Sequence, residues 1–190
     1  APVHLKQAVA ALFTFHFEVA NIPVEVSEPM VGHVKIQWWR DVITEISEGK
    51  PYRPHPILLA LKGHNVDFSK ILNMLSRYDN VLENKLPSAL TELKDFLLDT
   101  EVIIFELAAS LLEVPFRKDI ALAYAYNHIA RRLAGKNDTL SARLLEESKN
   151  TLPQPDASVF RAITAYYNRK PQAPRWKLAF SLLAGRHKLL

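Results

Sequence analysis

Two aspartates stand four residues apart in the segment Asp95-Phe-Leu-Leu-Asp99, and Glu92 precedes them by about one helical turn. On a helix, carboxylates at this spacing lie on one face, and their hard oxygens are the ligands that Mg²⁺ prefers. A solvated polar face is the simpler interpretation of a single acidic turn, and we expect these carboxylates to contact water. Asp41 and Glu45 repeat the spacing, and for them we expect structural ion pairing.

Other residue types that carry chemistry are present without the spacing that the chemistry needs. The seven histidines are scattered, and no two stand as His-x-x-x-His. Cysteine is absent, which excludes thiolate metal sites and a cysteine nucleophile. No Walker loop, nucleophile elbow or dinucleotide-binding glycine motif occurs. The sequence therefore predicts no catalytic residue, no metal ligand and no cofactor. His16 and His128 lie in apolar stretches, where we expect hydrogen-bonded core histidines.

The elements that must position these side chains are predicted to be helices alone. The chain has only 5 glycines and no Asn-Gly or Asp-Gly hairpin signal, and its apolar residues recur at three- and four-residue spacing. The clearest stripe is formed by Ile36, Trp39, Ile43 and Ile46, in a helix that Gly49 ends. Further helices are predicted over residues 3–20, 56–61, 67–84, 87–112, 117–133, 140–150, 156–169 and 175–186.

The 190 residues contain no repeat, no low-complexity tract and no linker that would separate two domains. We therefore expect one all-α domain over residues 1–190. The longest apolar run, Ile120 to Tyr126, has seven residues, whereas about 20 are needed to span a bilayer. No transmembrane helix is predicted.

The net charge of +4 is unevenly distributed, since residues 161–190 contain seven Lys or Arg and no Asp or Glu. This tail includes a predicted basic amphipathic helix over residues 174–188, in which Trp176, Phe180 and Leu183 form an apolar stripe. Such a helix packs on its own core, docks into a partner protein or lies on an anionic membrane. Nucleic acid is not expected as a partner because no recognition motif or stacking platform accompanies the charge. The candidate partner- or membrane-facing residues are Arg175, Trp176, Lys177, Arg186 and Lys188.

The segment from Phe17 to Asp41 contains Ser27-Glu28-Pro29, Gly32 and Gln37-Trp-Trp-Arg-Asp41 in that order. This run resembles the squalene/phytoene synthase family. Further segments resemble the same family in the same order, among them His55-Pro56, Thr100-Glu101 and the stretch from Ala123 to Leu133. The resemblance covers nearly all of the chain, with a shortening near residues 133–139. It implies an isoprenoid-synthase-like fold, in which helices surround a central cavity.

Active members of that family join two prenyl diphosphates head to head, and two aspartate-rich motifs hold the diphosphates through Mg²⁺. At the position of the first motif, residues 20–26, this chain has the single carboxylate Glu25. The helix of the second motif has no acidic residue between Tyr124 and Leu133. The resemblance therefore implies a non-catalytic member without a cofactor.

Within the family, the resemblance is to the non-catalytic branch that acts in assembly of respiratory complex I, the NADH:ubiquinone oxidoreductase. It implies an assembly factor or accessory subunit whose partners are protein subunits of that membrane complex, and an anionic membrane surface is a further expected partner. The expected location is the matrix side of the mitochondrial inner membrane or the cytoplasmic side of a bacterial inner membrane. Two alternatives are an active Mg²⁺-dependent prenyltransferase that recruits Glu25, Asp95 or Asp99, and a prenyl-lipid-binding module.

Overall fold

The computed structural model describes residues 3–50, 54–84 and 86–151. In these residues the regular elements are all helices, in agreement with the three- and four-residue spacing of the apolar side chains. The predicted all-α class is confirmed there. These residues form eight α-helices: α1 (Val3–Glu25), α2 (Pro29–Ser47), α3 (Pro56–Leu61), α4 (Phe68–Asn84), α5 (Leu90–Asp99), α6 (Glu101–Leu111), α7 (Lys118–Leu133) and α8 (Asp138–Asn150).

The first helix does not end before Pro23, as the sequence predicted, but continues through it to Glu25. Proline removes one intrahelical donor and crowds the carbonyl one turn earlier. The helix survives here because Pro23 lies in its last turn and the next turn closes normally, with the Val26 amide donating to the Ile22 carbonyl at 3.2 Å. Burial of Val19 and Ile22 holds the same turn against the core.

Two other helices follow their sequence signals closely. In α2, three members of the predicted stripe, Ile36, Trp39 and Ile43, are buried. The fourth, Ile46, is half-buried, and Gly49 ends the segment with a positive φ of 68°. In α4, Asp67 caps the N-terminus, because its Oδ1 accepts the Ser69 amide at 3.1 Å. The hydrogen bond from the Ser69 hydroxyl lowers the pKa of Asp67.

The long helix predicted over residues 87–112 is divided at Thr100 into α5 and α6. The backbone of Thr100 has φ −124° and ψ −76°, outside the helical region. Its hydroxyl donates to the Phe96 carbonyl at 2.7 Å, which is the acceptor that the Thr100 amide would use in a continuous helix. The side chain thus replaces the backbone bond, and the chain bends.

The chain divides into two compact units, Ala1–Glu113 and Val114–Leu190. In the first, α1 contacts α2, α3, α4 and α6, and α2 lies along α4. In the second, α7 and α8 form an antiparallel pair. The buried hydroxyls of Ser141 and Ser148 donate to the α7 carbonyls of Ala130 and Ala123. The expectation of a single domain over residues 1–190 stays a prediction.

Among the described helices, none combines the length and the apolar content that a bilayer crossing requires. The helices predicted over residues 156–169 and 174–188 lie outside the described residues. So do the candidate residues Arg175, Trp176, Lys177, Arg186 and Lys188.

Candidate partner-binding site

The two tryptophans of the Gln37–Asp41 run on α2 have different environments. Trp39 is 5% exposed, and its ring meets Phe15 edge-on at 4.7 Å and His55 at 5.0 Å. Trp38 is half-buried and contacts Trp39 at 4.9 Å. One ring of the pair therefore fills the core, while the other lies at its edge.

Arg40, in the same run, holds α2 to α4. Its guanidinium lies 3.1 Å from Asp79 Oδ2 and donates to Ser76 Oγ at 3.3 Å. His33, two turns earlier on α2, is 2.7 Å from the other oxygen of Asp79 and 3.4 Å from Glu83. Asp79 on α4 therefore binds two side chains of α2, His33 and Arg40, and holds the two helices together.

A groove of about 480 Å³ lies between α1 and α2, and Trp38 and Trp39 are part of its lining. Its wall on α1 carries Glu18 and Glu25, which stand seven residues apart and therefore on one helical face. Lys35 on α2 is the basic residue that lines it. The groove is lined by Phe17, Glu18, Asn21, Ile22, Glu25, Val34, Lys35, Trp38 and Trp39.

Apolar side chains stay exposed where α1 ends and α2 begins. Val24, Met30 and Val34 are 62%, 70% and 63% exposed, and Phe17 and Val31 are close to half exposed. Within the described residues only two other large apolar side chains, Val3 and Leu59, are as exposed. We call the five residues Phe17, Val24, Met30, Val31 and Val34 the α1–α2 surface. Exposed apolar side chains grouped on two neighbouring helices make this surface a candidate binding site.

Sequence reasoning did not identify the α1–α2 surface. The sequence did contain a signal for it. Met30, Val31 and Val34 are apolar but do not lie on the helical face of Ile36, Trp39 and Ile43, which packs on the core. Which of these side chains the fold covers depends on where α4 crosses α2, and the sequence pattern does not specify that crossing.

On α5, Glu92 and Asp95 are exposed, as predicted. Asp99 is half-buried and instead pairs with Arg77 of α4. Among the residues that the structure describes, no three His, Asp or Glu side chains converge where they could hold a metal ion. Glu25 is the one carboxylate between residues 20 and 26 and lies in the groove. Asp138 accepts the Gly135 amide at 2.7 Å and closes the turn before α8.

His16 has the predicted role of a hydrogen-bonded core histidine. It is 3% exposed, and its Nε2 lies 2.9 Å from the Tyr78 hydroxyl and 3.5 Å from Glu101 Oε1. Burial of Glu101 was not predicted, although a glutamate that opens the apolar run Val102-Ile-Ile-Phe105 was a visible signal. His128 is also buried, with its ring stacked on Tyr124 at 6.0 Å.

The chain was compared with protein families, with solved structures and with curated proteins. No family model matches the chain, and no solved structure matches it. Three curated relatives, from Rattus norvegicus, Bos taurus and Homo sapiens, carry the name NADH dehydrogenase (ubiquinone) complex I, assembly factor 6. Each is 26% identical to the chain over 133 residues, which cover 68% of this chain and 39% of the relative. The chain is thus a distant relative of complex I assembly factor 6 and matches about two fifths of the length of those proteins.

Proposed function

We propose that this protein is a non-catalytic assembly factor of respiratory complex I that acts by binding protein subunits. The observation that carries the proposal is the similarity over 133 residues to proteins named for complex I assembly. The activity and partners of those proteins come to this chain only as part of the proposal, because the match spans 39% of their length.

The chemistry of the described residues supports binding rather than catalysis. We infer a squalene/phytoene synthase-like scaffold that retains the Gln37–Asp41 run and has lost the carboxylates that would hold Mg²⁺ and diphosphate. Glu25, at the position of the first motif, lies in a groove with Glu18 and Lys35. A lysine next to carboxylates competes with a divalent cation for their negative charge.

The location that accompanies this function is the matrix side of the mitochondrial inner membrane or, in a bacterium, the cytoplasmic side of its inner membrane. A protein there reaches the peripheral subunits of a membrane complex without crossing the bilayer. Its basic tail, with Arg175, Lys177, Arg186 and Lys188, favours attachment to an acidic protein or an anionic lipid surface.

Deletion of the gene tests the proposal. We expect loss of NADH:ubiquinone oxidoreductase activity and of the mature complex on a native gel, with the other respiratory complexes retained. Wild-type protein should restore both. Normal levels of complex I in the deletion strain would overturn the proposal.

Mild-detergent isolation separates an assembly factor from a resident accessory subunit. An assembly factor migrates with smaller assembly intermediates and is absent from the mature complex. Stoichiometric presence in the mature complex would instead identify a subunit and would correct this part of the proposal.

The non-catalytic part of the proposal has its own test. Purified protein with Mg²⁺ and farnesyl or geranylgeranyl diphosphate should give no diphosphate release above that of a Glu25→Gln, Asp95→Asn, Asp99→Asn variant. Turnover that this triple variant abolishes would show that carboxylates outside the usual motifs support catalysis.

A further inference from the structure

We propose that the α1–α2 surface and the adjoining groove bind an amphipathic helix of a partner protein whose apolar stripe is flanked by Lys or Arg. The proposal deepens the function proposed above, on which it rests, by giving the chemistry of the partner. It stands on three features of the described residues: the exposed apolar side chains, their spacing along the two helices, and the charge around them.

Two side chains of the α1–α2 surface, Phe17 on α1 and Val34 on α2, line the groove itself. On α1, Phe17 and Val24 are seven residues apart and share a helical face. On α2, Met30 and Val34 are four residues apart and also share a face. Each helix therefore carries a row of exposed apolar side chains that has one member in the groove, and we call these two rows with the groove the strip.

The length of the strip matches that of a short helix. At 1.5 Å per residue, the rows from Phe17 to Val24 and from Met30 to Trp38 extend about 10 and 12 Å. Apolar anchors at positions i, i+4 and i+7 of a helix span about the same distance, and amphipathic helices dock into apolar grooves through such anchors.

The charge around the strip selects the partner. Among the described residues that line it, Glu18 and Glu25 on α1 stand with the basic Lys35 on α2. Glu28, the N-cap residue of α2, adds a third carboxylate just before the exposed residues Met30 and Val31. Glu25 and Glu28 are exposed next to the exposed apolar residues. Lys or Arg beside the apolar stripe of the partner complements this rim. The same carboxylates repel an anionic lipid surface, so a protein helix is favoured over a membrane at this site.

A direct binding measurement tests the proposal on the purified full chain. The probe is a labelled synthetic helical peptide of about 15 residues, with leucines at i, i+4 and i+7 and lysines beside them. We expect saturable binding by fluorescence anisotropy that weakens as salt concentration rises. A peptide with glutamates in place of the lysines should bind at least about tenfold more weakly.

Matched variants locate the binding site. Met30→Ser together with Val34→Ser should weaken binding about tenfold or more, whereas Leu59→Ser, which removes a similarly exposed apolar side chain from α3, should not. Glu25→Lys with Glu28→Lys should remove the preference for the lysine peptide. Glu146→Lys, on the exposed side of α8, is the charge control. Fluorescence of Trp38 and Trp39 verifies that each variant is folded.

Equal binding of the two peptides, or equal binding by the Met30→Ser, Val34→Ser variant, would overturn the proposal. If the protein co-sediments with phosphatidylglycerol vesicles and these two substitutions abolish the co-sedimentation, the surface binds lipid instead. In the deletion strain, failure of this variant to restore complex I while Leu59→Ser succeeds would connect the site to the proposed function. If the wild-type protein restores complex I but does not bind the peptide, the proposed site is wrong and the proposed function stands. The two proposals can therefore fail separately.

Discussion

Asp79 on α4 is the residue at which two side chains of α2 meet. Each of its carboxylate oxygens has one partner, His33 Nδ1 at 2.7 Å and the Arg40 guanidinium at 3.1 Å. All three side chains are only partly exposed to solvent, so their interaction is screened less than that of a surface pair. Arg40 thus has a structural role in joining α2 to α4.

Asp79→Ala should destabilise the first unit by about 1–2 kcal/mol, because it removes charge-assisted hydrogen bonds from a partly buried helix contact. Urea unfolding in a Trp176→Phe background, followed by the fluorescence of Trp38 and Trp39 on α2, measures the change. Glu146→Ala removes an exposed pair with Lys149 and should change the midpoint much less. If both variants unfold at the wild-type midpoint, the Asp79 contacts do not contribute to stability.

Tyr78→Phe removes one buried hydroxyl and leaves the packing of the ring against Phe96 intact. The hydroxyl lies 2.9 Å from His16 Nε2 in the core, so we expect a loss of about 1–2 kcal/mol in the free energy of unfolding. Thermal unfolding compares it with the wild type. An unchanged stability would mean that His16 does not depend on this hydroxyl.

At the scale of elements, the positions of α2 and α4 depend on a close approach and on one cap. A Cβ at Gly32 would lie 2.5 Å from Leu82 Cδ2, so glycine allows α4 to approach α2 at this point. Asp67 begins α4 by accepting the Ser69 amide. Both features fix the helix that presents Asp79 to Arg40.

Gly32→Val should destabilise the first unit by about 1–3 kcal/mol, because three added carbons cannot be accommodated by Leu82 alone. A Gly32→Val, Leu82→Ala double variant should recover part of the loss, since it removes the side chain that the new residue meets. Urea midpoints of the two variants measure this recovery. Additive losses would show that Leu82 is not the contact.

Asp67→Ala should lower stability by about 1 kcal/mol near neutral pH through loss of the N-cap. The Ser69 hydroxyl holds the pKa of Asp67 below its unfolded value of 3.8. The stabilising contribution is therefore full above about pH 4 and is lost as the pH falls through the lower folded-state pKa. Urea unfolding of both proteins at about pH 6 and pH 3 should show the difference shrinking. A constant difference would mean that charge plays no part in the cap.

At the scale of the whole molecule, charge is segregated. Residues 161–190 contain seven Lys or Arg without an acidic residue, so the net charge of +4 leaves −3 on residues 1–160. Glu18 and Glu25, which line the groove, belong to residues 1–160. We propose that the two regions contact different surfaces, an amphipathic helix at the groove and an acidic protein or lipid surface at the tail.

The basic residues of the tail are tested by replacing Arg175, Lys177, Arg186 and Lys188 with Gln. The protein should then associate more weakly with membranes that contain complex I, and this association should depend less on salt concentration. The Trp fluorescence unfolding midpoint reports whether the fold is unaffected. Removing the same amount of charge at exposed Lys6, Lys94, Lys118 and Arg143 is the matched control. If the control variant dissociates equally, net charge rather than the tail determines binding.

Several features were decided by the sequence alone because they depend on neighbouring residues. The all-α class, the Ile36–Trp39–Ile43 stripe, helix α3 over Pro56–Leu61 and the Asp67 cap follow from helical periodicity and local hydrogen bonding. The scarcity of acidic residues, with Glu25 alone in residues 20–26 and none in residues 124–133, is also a property of the sequence. It bears on catalysis only through the resemblance to the squalene/phytoene synthase family.

Other features were decided only by the tertiary structure. Continuation of α1 through Pro23 depends on burial of Val19 and Ile22, and the break at Thr100 depends on whether a side chain or the backbone takes the Phe96 carbonyl. The pairing of Arg40 with Asp79 joins residues far apart in the chain. Exposure of Val24, Met30 and Val34 depends on which faces neighbouring helices cover. Periodicity determines that a helix has an apolar face, and packing between helices determines which apolar residues are left for a partner.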